Sequence, residues 1–145
     1  MISRILLAAD GSPSAADAAS LAAEIAGYAG AEVIVLSVAQ PVTFGDFVPT
    51  YPGFVDEPEK LARAEADRQT RELRKAGLKA SSVVATSPSV DGTIVEMAER
   101  MSADLVVMGT HGRSGLARAI LGSVADRVLR GSTVPVLLAR HEEPR

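Results

Sequence analysis

The stretch VVMGTHGRSGLARAILGS, residues 106–123, passes from an apolar run directly into glycines, a histidine and arginines, and it ends on Gly-Ser. Its apolar part belongs to a run from Leu105 to Met108 that is short, rich in branched side chains and free of polar alternation. Such runs are typical of strands that helices cover on both faces of a parallel sheet. The stretch therefore predicts a buried strand whose carboxyl end meets a glycine-rich loop.

The rest of the chain alternates similar apolar runs with helical patterns. Further strands are predicted at Ile5 to Ala9, Val33 to Val38 and Val134 to Ala139, with a weaker one at Ser82 to Thr86. Helices are predicted from Pro13, with Ser12 as the cap, to Gly30, from Glu57 to Ala76, from Asp91 to Met101 and from about Ser123 to Arg130.

This alternation predicts the α/β class, with a single doubly wound, five-stranded parallel sheet of strand order 3-2-1-4-5 and helices on both faces. We expect this Rossmann-like fold to form one domain over residues 1–145, because 47% of the residues are hydrophobic and suffice for a single core. Ligands bind such sheets beyond the carboxyl ends of the strands, where the strand order reverses. Here that point lies between strands one and four, at Asp10 and Gly109.

The segment from Gln40 to Pro58 does not follow this pattern. It contains four prolines, all three phenylalanines and one of the two tyrosines. A loop of this length inside a compact domain usually covers a functional site or is partly disordered. We predict a loop here and assign it no ligand.

The composition excludes several classes of function. A formal net charge of −3 and a pI of about 5.4 give no general attraction for nucleic acid or anionic lipid. The absence of cysteine excludes disulfides and thiolate metal sites, and two histidines alone make no zinc site. No apolar run reaches the length of a signal peptide or the roughly 18 residues of a membrane helix. We expect a cytoplasmic protein that binds neither nucleic acid nor membranes.

The glycines of the opening stretch predict a cradle for phosphate. Gly109, Gly112 and Gly115 leave no side chain between main-chain N–H groups and a ligand. Gly122-Ser123 then begins the last helix, whose first turn presents unpaired N–H groups and the positive end of the helix dipole. An ordinary turn followed by an ordinary helix start is the alternative interpretation.

Four residues beside these glycines bear on the predicted cradle. Ser123 and Asp126 fit the S-x-x-[DE] capping-box pattern, which predicts Ser123 as the cap of the last helix. Arg113 and Arg118 add positive charge nearby.

The spacing Gly109-Thr-His-Gly112, nine residues, then Gly122-Ser123 resembles the G-x2-G-x9-G-[ST] signature of ATP-binding universal stress proteins. ILLAADGS at residues 5–12, ADLVVMGTHGRSG at 103–115 and GSVADRVLRGSTVPVLLAR at 122–140 resemble other family segments in the same order. The similarity covers nearly the whole chain. Thr86-Ser-Pro-Ser89 departs from the family, which commonly has a glycine-rich turn there.

The resemblance implies a site for ATP, with AMP or ADP as open alternatives, and a Mg or Mn ion that bridges the phosphates. Because the sequence offers no cluster of carboxylates for this ion, the nucleotide would supply most of its ligands. The matching positions are Ala9 and Asp10 near the ribose and adenine, Val38 at the adenine edge, Met108 and Gly109 under the ribose and first phosphate, and Gly112, Arg113, Gly122, Ser123 and Val124 at the phosphates.

Two residues, Asp10 and His111, keep a second interpretation, whereas His141 has only one. Asp10 either contacts the ligand or caps the first helix. His111 either donates to a phosphate or acts as a base, or it packs or faces solvent, since no nearby carboxylate in the sequence would orient it. His141 is expected to face solvent in the tail.

The strand from Val134 to Ala139 is apolar, although the predicted order puts it at a sheet edge. Bare apolar edges invite pairing with a second chain. Because members of the family pair through this strand, the resemblance implies a homodimer.

Three functions remain open at this stage. The first is an ATP-binding regulatory protein of the stress response. The second is a slow ATPase, since the sequence has neither a Walker lysine nor a Walker-type carboxylate and we predict no catalytic residue. The third is an interaction protein that binds no nucleotide.

Overall fold

A computed structural model of the chain describes residues 1–42, 52–111 and 121–141. Strands and helices alternate along these residues. The strands are β1 (Arg4–Ala8), β2 (Glu32–Ala39), β3 (Ala80–Thr86), β4 (Leu105–Gly109) and β5 (Val136–Ala139). The helices are α1 (Pro13–Ala29), α2 (Pro52–Lys75), α3 (Val90–Arg100) and α4 (Ser123–Gly131).

The strands form one parallel sheet in the order β3-β2-β1-β4-β5. The predicted fold class and strand order are confirmed. The order reverses between β1 and β4, where Ile5 pairs with Leu105 and Leu7 with Val107. That the whole chain forms a single domain stays a prediction.

Side chains of each central strand alternate between two apolar layers. Ile5 and Leu7 pack on the layer that holds α1 and α2, whereas Leu6 packs on the layer that holds α3 and α4. All three side chains are fully buried. A shift of one residue in register would exchange the two layers, so the alternation sets the register.

Helix α1 approaches the sheet closely because its inner face consists of small residues. Ala18, Ala22 and Ala26 recur every fourth residue and are buried. Ser12 caps the helix as predicted, since its Oγ accepts a hydrogen bond from the Ala15 N–H at 3.2 Å. Gly30 ends it with φ at +68°, a left-handed conformation that favours glycine.

The predicted loop from Gln40 to Pro58 is wrong at its carboxyl end, because α2 begins at Pro52. Proline suits the first position of a helix, where the N–H has no helical partner. Pro58 lies inside the helix and removes one backbone hydrogen bond, which is why the sequence favoured a later start. Residues 43–51 lie outside the described residues.

The last strand, β5, begins at Val136, later than predicted. Pro135 has no N–H and joins the sheet only through its carbonyl, which accepts a hydrogen bond from the Val106 N–H at 2.9 Å.

None of the helices that the structure describes is both long and apolar enough to cross a membrane.

Asp104 joins the amino ends of β1 and β4. Its Oδ2 accepts hydrogen bonds from the N–H groups of Ser3 at 2.8 Å and Arg4 at 3.0 Å. These two bonds stabilise the carboxylate and hold the pKa of Asp104 below its usual value. A carboxyl with a lowered folded-state pKa stabilises the fold above its unfolded pKa, and this stabilisation is lost as pH falls through the folded pKa.

We expect Asp104→Asn to lower the free energy of unfolding at neutral pH, because the amide keeps one acceptor oxygen but loses the charge. The difference from the wild type should shrink as the pH falls from about 6 to about 2. Urea unfolding followed by circular dichroism at several pH values measures it. Asp126→Asn, which removes only an exposed pair with Arg130, is the control. A deficit of Asp104→Asn that is the same at every pH would contradict this prediction.

Candidate functional site

A cleft of about 760 Å³ lies at the carboxyl end of the sheet, where the strand order reverses. This volume falls in the range of about 300–1,000 Å³ that is common for small-molecule sites. Eight of the ten residues predicted for the site line the cleft: Ala9, Asp10, Val38, Met108, Gly109, Gly122, Ser123 and Val124. The other two, Gly112 and Arg113, lie outside the described residues, as do Gly115 and Arg118.

Asp10 begins a tight turn between β1 and α1. Its Oδ1 accepts a hydrogen bond from the Ser12 N–H at 2.9 Å, and Gly11 has φ at +80°. The cap of α1 is Ser12, whose Oγ accepts a hydrogen bond from the Ala15 N–H, so the interpretation of Asp10 as the cap is wrong. Asp10 is half-buried and borders the cleft, which leaves its carboxylate placed for a ligand as well as for the turn.

Gly109 ends β4 in direct contact with the first turn of α1. A Cβ at this position would lie 2.7 Å from the carbonyl carbon of Ser14 and 2.8 Å from its Cβ. No side chain fits there, so glycine is required by the packing of α1 against β4. The sequence pattern indicates only a ligand role for Gly109, because the contact with α1 is a tertiary one.

His111 follows directly, and α1 holds its backbone. Its carbonyl accepts hydrogen bonds from the Ser14 Oγ and, at 3.3 Å, from the Ser12 Oγ. Its imidazole Nδ1 lies 3.0 Å from the Thr110 Oγ1. The residue is half-buried and lines the cleft, so it packs against α1 and also borders the ligand space.

The amino end of α4 rests on the same segment. Gly122 is its N-cap, and the Gly122 N–H donates to the Thr110 carbonyl at 2.9 Å. A Cβ on Gly122 would lie 2.6 Å from that carbonyl oxygen, so glycine permits the close approach. The prediction that Ser123 caps the helix is wrong, because this contact places the cap one residue earlier.

The predicted capping box is therefore absent, and no side chain caps α4 within the part of the chain that the structure describes. Asp126 instead pairs with Arg130 at 3.0 Å on the surface. The first turn of α4 thus borders the cleft at Ser123 and Val124 with backbone N–H groups that no side chain has capped. Such a helix start attracts anions.

The charges on the cleft are unevenly distributed. Among the described residues that line it, Asp10 and Glu57 carry acidic side chains, and no lysine or arginine is present. Positive potential in this part therefore comes from the amino ends of α1 and α4, which border the cleft at Ser12 and Ser123.

An apolar wall completes the cleft. Its residues in α2 and α3 were not among the predicted site residues. Pro58, Leu61 and Ala62 of α2 line one side, and Val90 and Ile94 of α3 line another. Leu61 is 54% exposed, so its side chain is accessible from the cleft. The sequence signal for the α2 side of this wall was Leu61, an apolar residue early in a largely charged helix.

The segment Thr86–Ser89, which has no glycine-rich turn, leads from the end of β3 to the start of α3. Ser89 is the N-cap, and its Oγ accepts a hydrogen bond from the Gly92 N–H at 3.2 Å. Val90, the first residue of this helix, lines the cleft. A serine cap thus begins the helix at this position.

His141 faces solvent only in part, since its side chain is 39% exposed and also pairs with α1. Its Nδ1 lies 2.7 Å from the Asp17 Oδ2, and both side chains are half-buried. The pair connects the end of β5 to α1. Within the described ranges, no group of three His, Asp or Glu side chains comes together as a metal site would require.

Comparison with known proteins gives a consistent result. The sequence model of the universal stress protein family matches residues 1–140. Universal stress protein MJ0531 of Methanocaldococcus jannaschii is 33% identical over 141 residues, which cover 94% of this chain and 81% of that protein.

Solved structures agree in fold. The structure of MJ0577, a universal stress protein of Methanocaldococcus jannaschii, superposes with a TM-score of 0.81 at 26% identity and covers 99% of both chains. A universal stress protein in complex with cAMP superposes with a TM-score of 0.74 at 26% identity over 97% of this chain and 99% of the other.

We expect Gly109→Ala to lower the free energy of unfolding by about 1–3 kcal/mol, because the added methyl group overlaps the backbone of Ser14. Gly27→Ala is the matched control: it lies in α1, and nothing lies within 4 Å of the added carbon. The control should raise stability by about 0.5–1 kcal/mol. Urea unfolding of both variants measures the two changes, and equal stabilities would refute the packing role of Gly109.

Proposed function

We propose that this chain, which belongs to the universal stress protein family, binds an adenine nucleotide in the cleft and acts as a regulatory protein of the stress response. The observation that carries the proposal is the start of α4, whose first turn borders the cleft without a side-chain cap. A location in the cytoplasm stays a prediction from the sequence.

The phosphates would lie against the start of α4. Gly122, Ser123 and Val124 border the cleft there, and backbone N–H groups at a helix start bind phosphate through hydrogen bonds and the helix dipole. Gly112 and Arg113, implied by the family signature, belong to the same proposed phosphate set. Asp10 and Glu57, the acidic side chains among the described lining residues, would lie away from the phosphates to avoid repulsion.

The adenosine part would occupy the rest of the cleft. Asp10 carries a carboxylate that suits ribose hydroxyls, and Ala9, Val38, Met108 and Gly109 would surround the base and sugar. The apolar wall of α2 and α3 suits a planar ring, as in most small-molecule sites. A related protein, 26% identical, has been solved with cAMP, which has the same adenosine core.

ATP is the proposed ligand, with AMP and ADP as the other candidates. A Mg or Mn ion would bridge the phosphates and take most of its ligands from them, since no metal-binding cluster occurs among the described residues. We propose no catalytic residue. The sequence has neither a Walker lysine nor a Walker-type carboxylate, so hydrolysis would be slow at most.

Calorimetry with ATP and Mg²⁺ tests the proposal, together with mass spectrometry of any ligand released from protein purified without added nucleotide. The wild type should bind and should release an adenine nucleotide. Absence of both heat and ligand would refute nucleotide binding and favour an interaction protein.

We expect Asp10→Asn to weaken ATP binding about tenfold, equivalent to about 1.4 kcal/mol. The asparagine keeps the oxygen that accepts from Ser12 but replaces the second oxygen, proposed to accept from the ribose, with a donor. Asp67→Asn is the control, because Asp67 accepts a hydrogen bond from Ser82 of β3 and does not line the cleft. Equal affinities of the two variants would place the ligand away from Asp10.

A homodimer through residues 134–139 is a separate proposal. β5 ends the sheet on one side, and its apolar residues Val136, Leu137 and Leu138 are only half-buried. The Pro135 and Ala139 carbonyls accept from β4, so strand alternation turns the backbone of Val136 and Leu138 to the free edge. A second copy would pair with this edge.

We expect the wild type to sediment as a dimer at micromolar concentration and Val136→Pro to sediment as a monomer, because proline removes an N–H from the free edge while the β4 side keeps its hydrogen bonds. Val136→Ala keeps this N–H and is the control for the lost side chain. Circular dichroism checks that both variants remain folded. A wild type that sediments as a monomer, or a proline variant that still dimerises, would contradict this interface.

A further inference from the structure

We propose that Ser14 is a positioning residue for the phosphate end of the cleft: it holds the Thr110–His111 backbone on which the start of α4 rests. This inference rests on the proposed function. It assigns a role to a residue that does not line the cleft.

Ser14 is a buried polar residue whose hydroxyl does not serve its own helix. Its side chain lies in the first turn of α1, where Ser12 already provides the cap, and the residue is 4% exposed. Its Oγ donates to the His111 carbonyl and lies 3.4 Å from the His111 N–H, which donates to it. One hydroxyl therefore bonds both backbone groups of a residue 97 positions away.

Close packing of Gly109 against Ser14 holds β4 and α1 together at the same place. Gly109 lies so close to Ser14 that a Cβ would be 2.2 Å from the Ser14 Oγ. The backbone of β4 thus meets α1 at Gly109, and the hydroxyl of Ser14 continues the contact to His111. The end of β4 has little freedom to move relative to α1.

The start of α4 depends on this segment. The Gly122 N–H donates to the Thr110 carbonyl, and a Cβ on Gly122 would lie 3.3 Å from the His111 Cα. A displacement of His111 would therefore displace Gly122 and the first N–H groups of α4. These are the groups proposed to bind phosphate.

The two residues of the segment are held from different sides. The Thr110 N–H donates to the Ala139 carbonyl of β5 at 2.9 Å, whereas Ser14, with a longer bond from Ser12 at 3.3 Å, holds His111. Loss of the Ser14 hydroxyl leaves the Thr110 N–H bonded to β5 but removes two hydrogen bonds from the His111 backbone, one of them at the peptide group whose Thr110 carbonyl accepts from Gly122. The same loss does not affect the residues proposed to contact adenosine, because Asp10 is held in the turn after β1 and Val38 in β2.

The test compares ligands that differ only in their phosphates. Calorimetry with adenosine, AMP and Mg²⁺-ATP is carried out on the wild type and on Ser14→Ala. We expect the affinity for adenosine to change less than about twofold and that for ATP to fall about tenfold, in line with the loss of a hydrogen bond worth roughly 1–1.5 kcal/mol. AMP should show an intermediate loss.

Thr70→Val is the matched control, because its buried hydroxyl donates to the Ala66 carbonyl at 2.7 Å in α2, away from the cleft. It should leave all three affinities unchanged. Ser14→Gly also removes the hydroxyl without adding volume beside Gly109 and should show the same split between adenosine and ATP. Binding of adenosine by either variant reports that the cleft is folded.

Equal losses for adenosine and ATP, or no loss for ATP, would overturn the positioning role while the proposed function stands. A wild type that binds none of the three ligands would overturn the proposed function, and the positioning role with it. A loss confined to the phosphate-bearing ligands supports both.

Discussion

The close contact between the first turn of α1 and the end of β4 is the constraint on which the cleft depends. Gly109 permits the contact because it has no side chain, and the Ser14 hydroxyl bonds the backbone of the next segment at His111. α4 then rests on that segment through Gly122. Two helix starts are thereby brought to one edge of the sheet.

This arrangement gives the cleft two different ends. Helix starts at Ser12 and Ser123 give positive potential without a cation among the described lining residues, while the α2 and α3 side chains give an apolar wall. A nucleotide has the same division between an anionic tail and a planar base. A universal stress protein that is 26% identical has been solved in complex with cAMP.

The sheet determines where these groups meet. Because all strands run parallel and the order reverses between β1 and β4, the loops after these strands diverge to opposite sides and leave a crevice. The alanine face of α1 lets the helix lie close enough to β4 for its first turn to reach His111. Packing of small residues thus has a direct effect on the geometry of the site.

The sequence by itself determined the fold class, the strand order and the residues at the switch point, because these follow from local periodicity and from the chirality of crossovers. Eight predicted residues do line the cleft. The tertiary structure alone decided the cap at Gly122, the packing role of Gly109, the pairing of His141 with Asp17 and the apolar wall of α2. Each of these depends on a contact between elements far apart in the chain, as between Ser14 and His111, and local patterns carry no information about such distances.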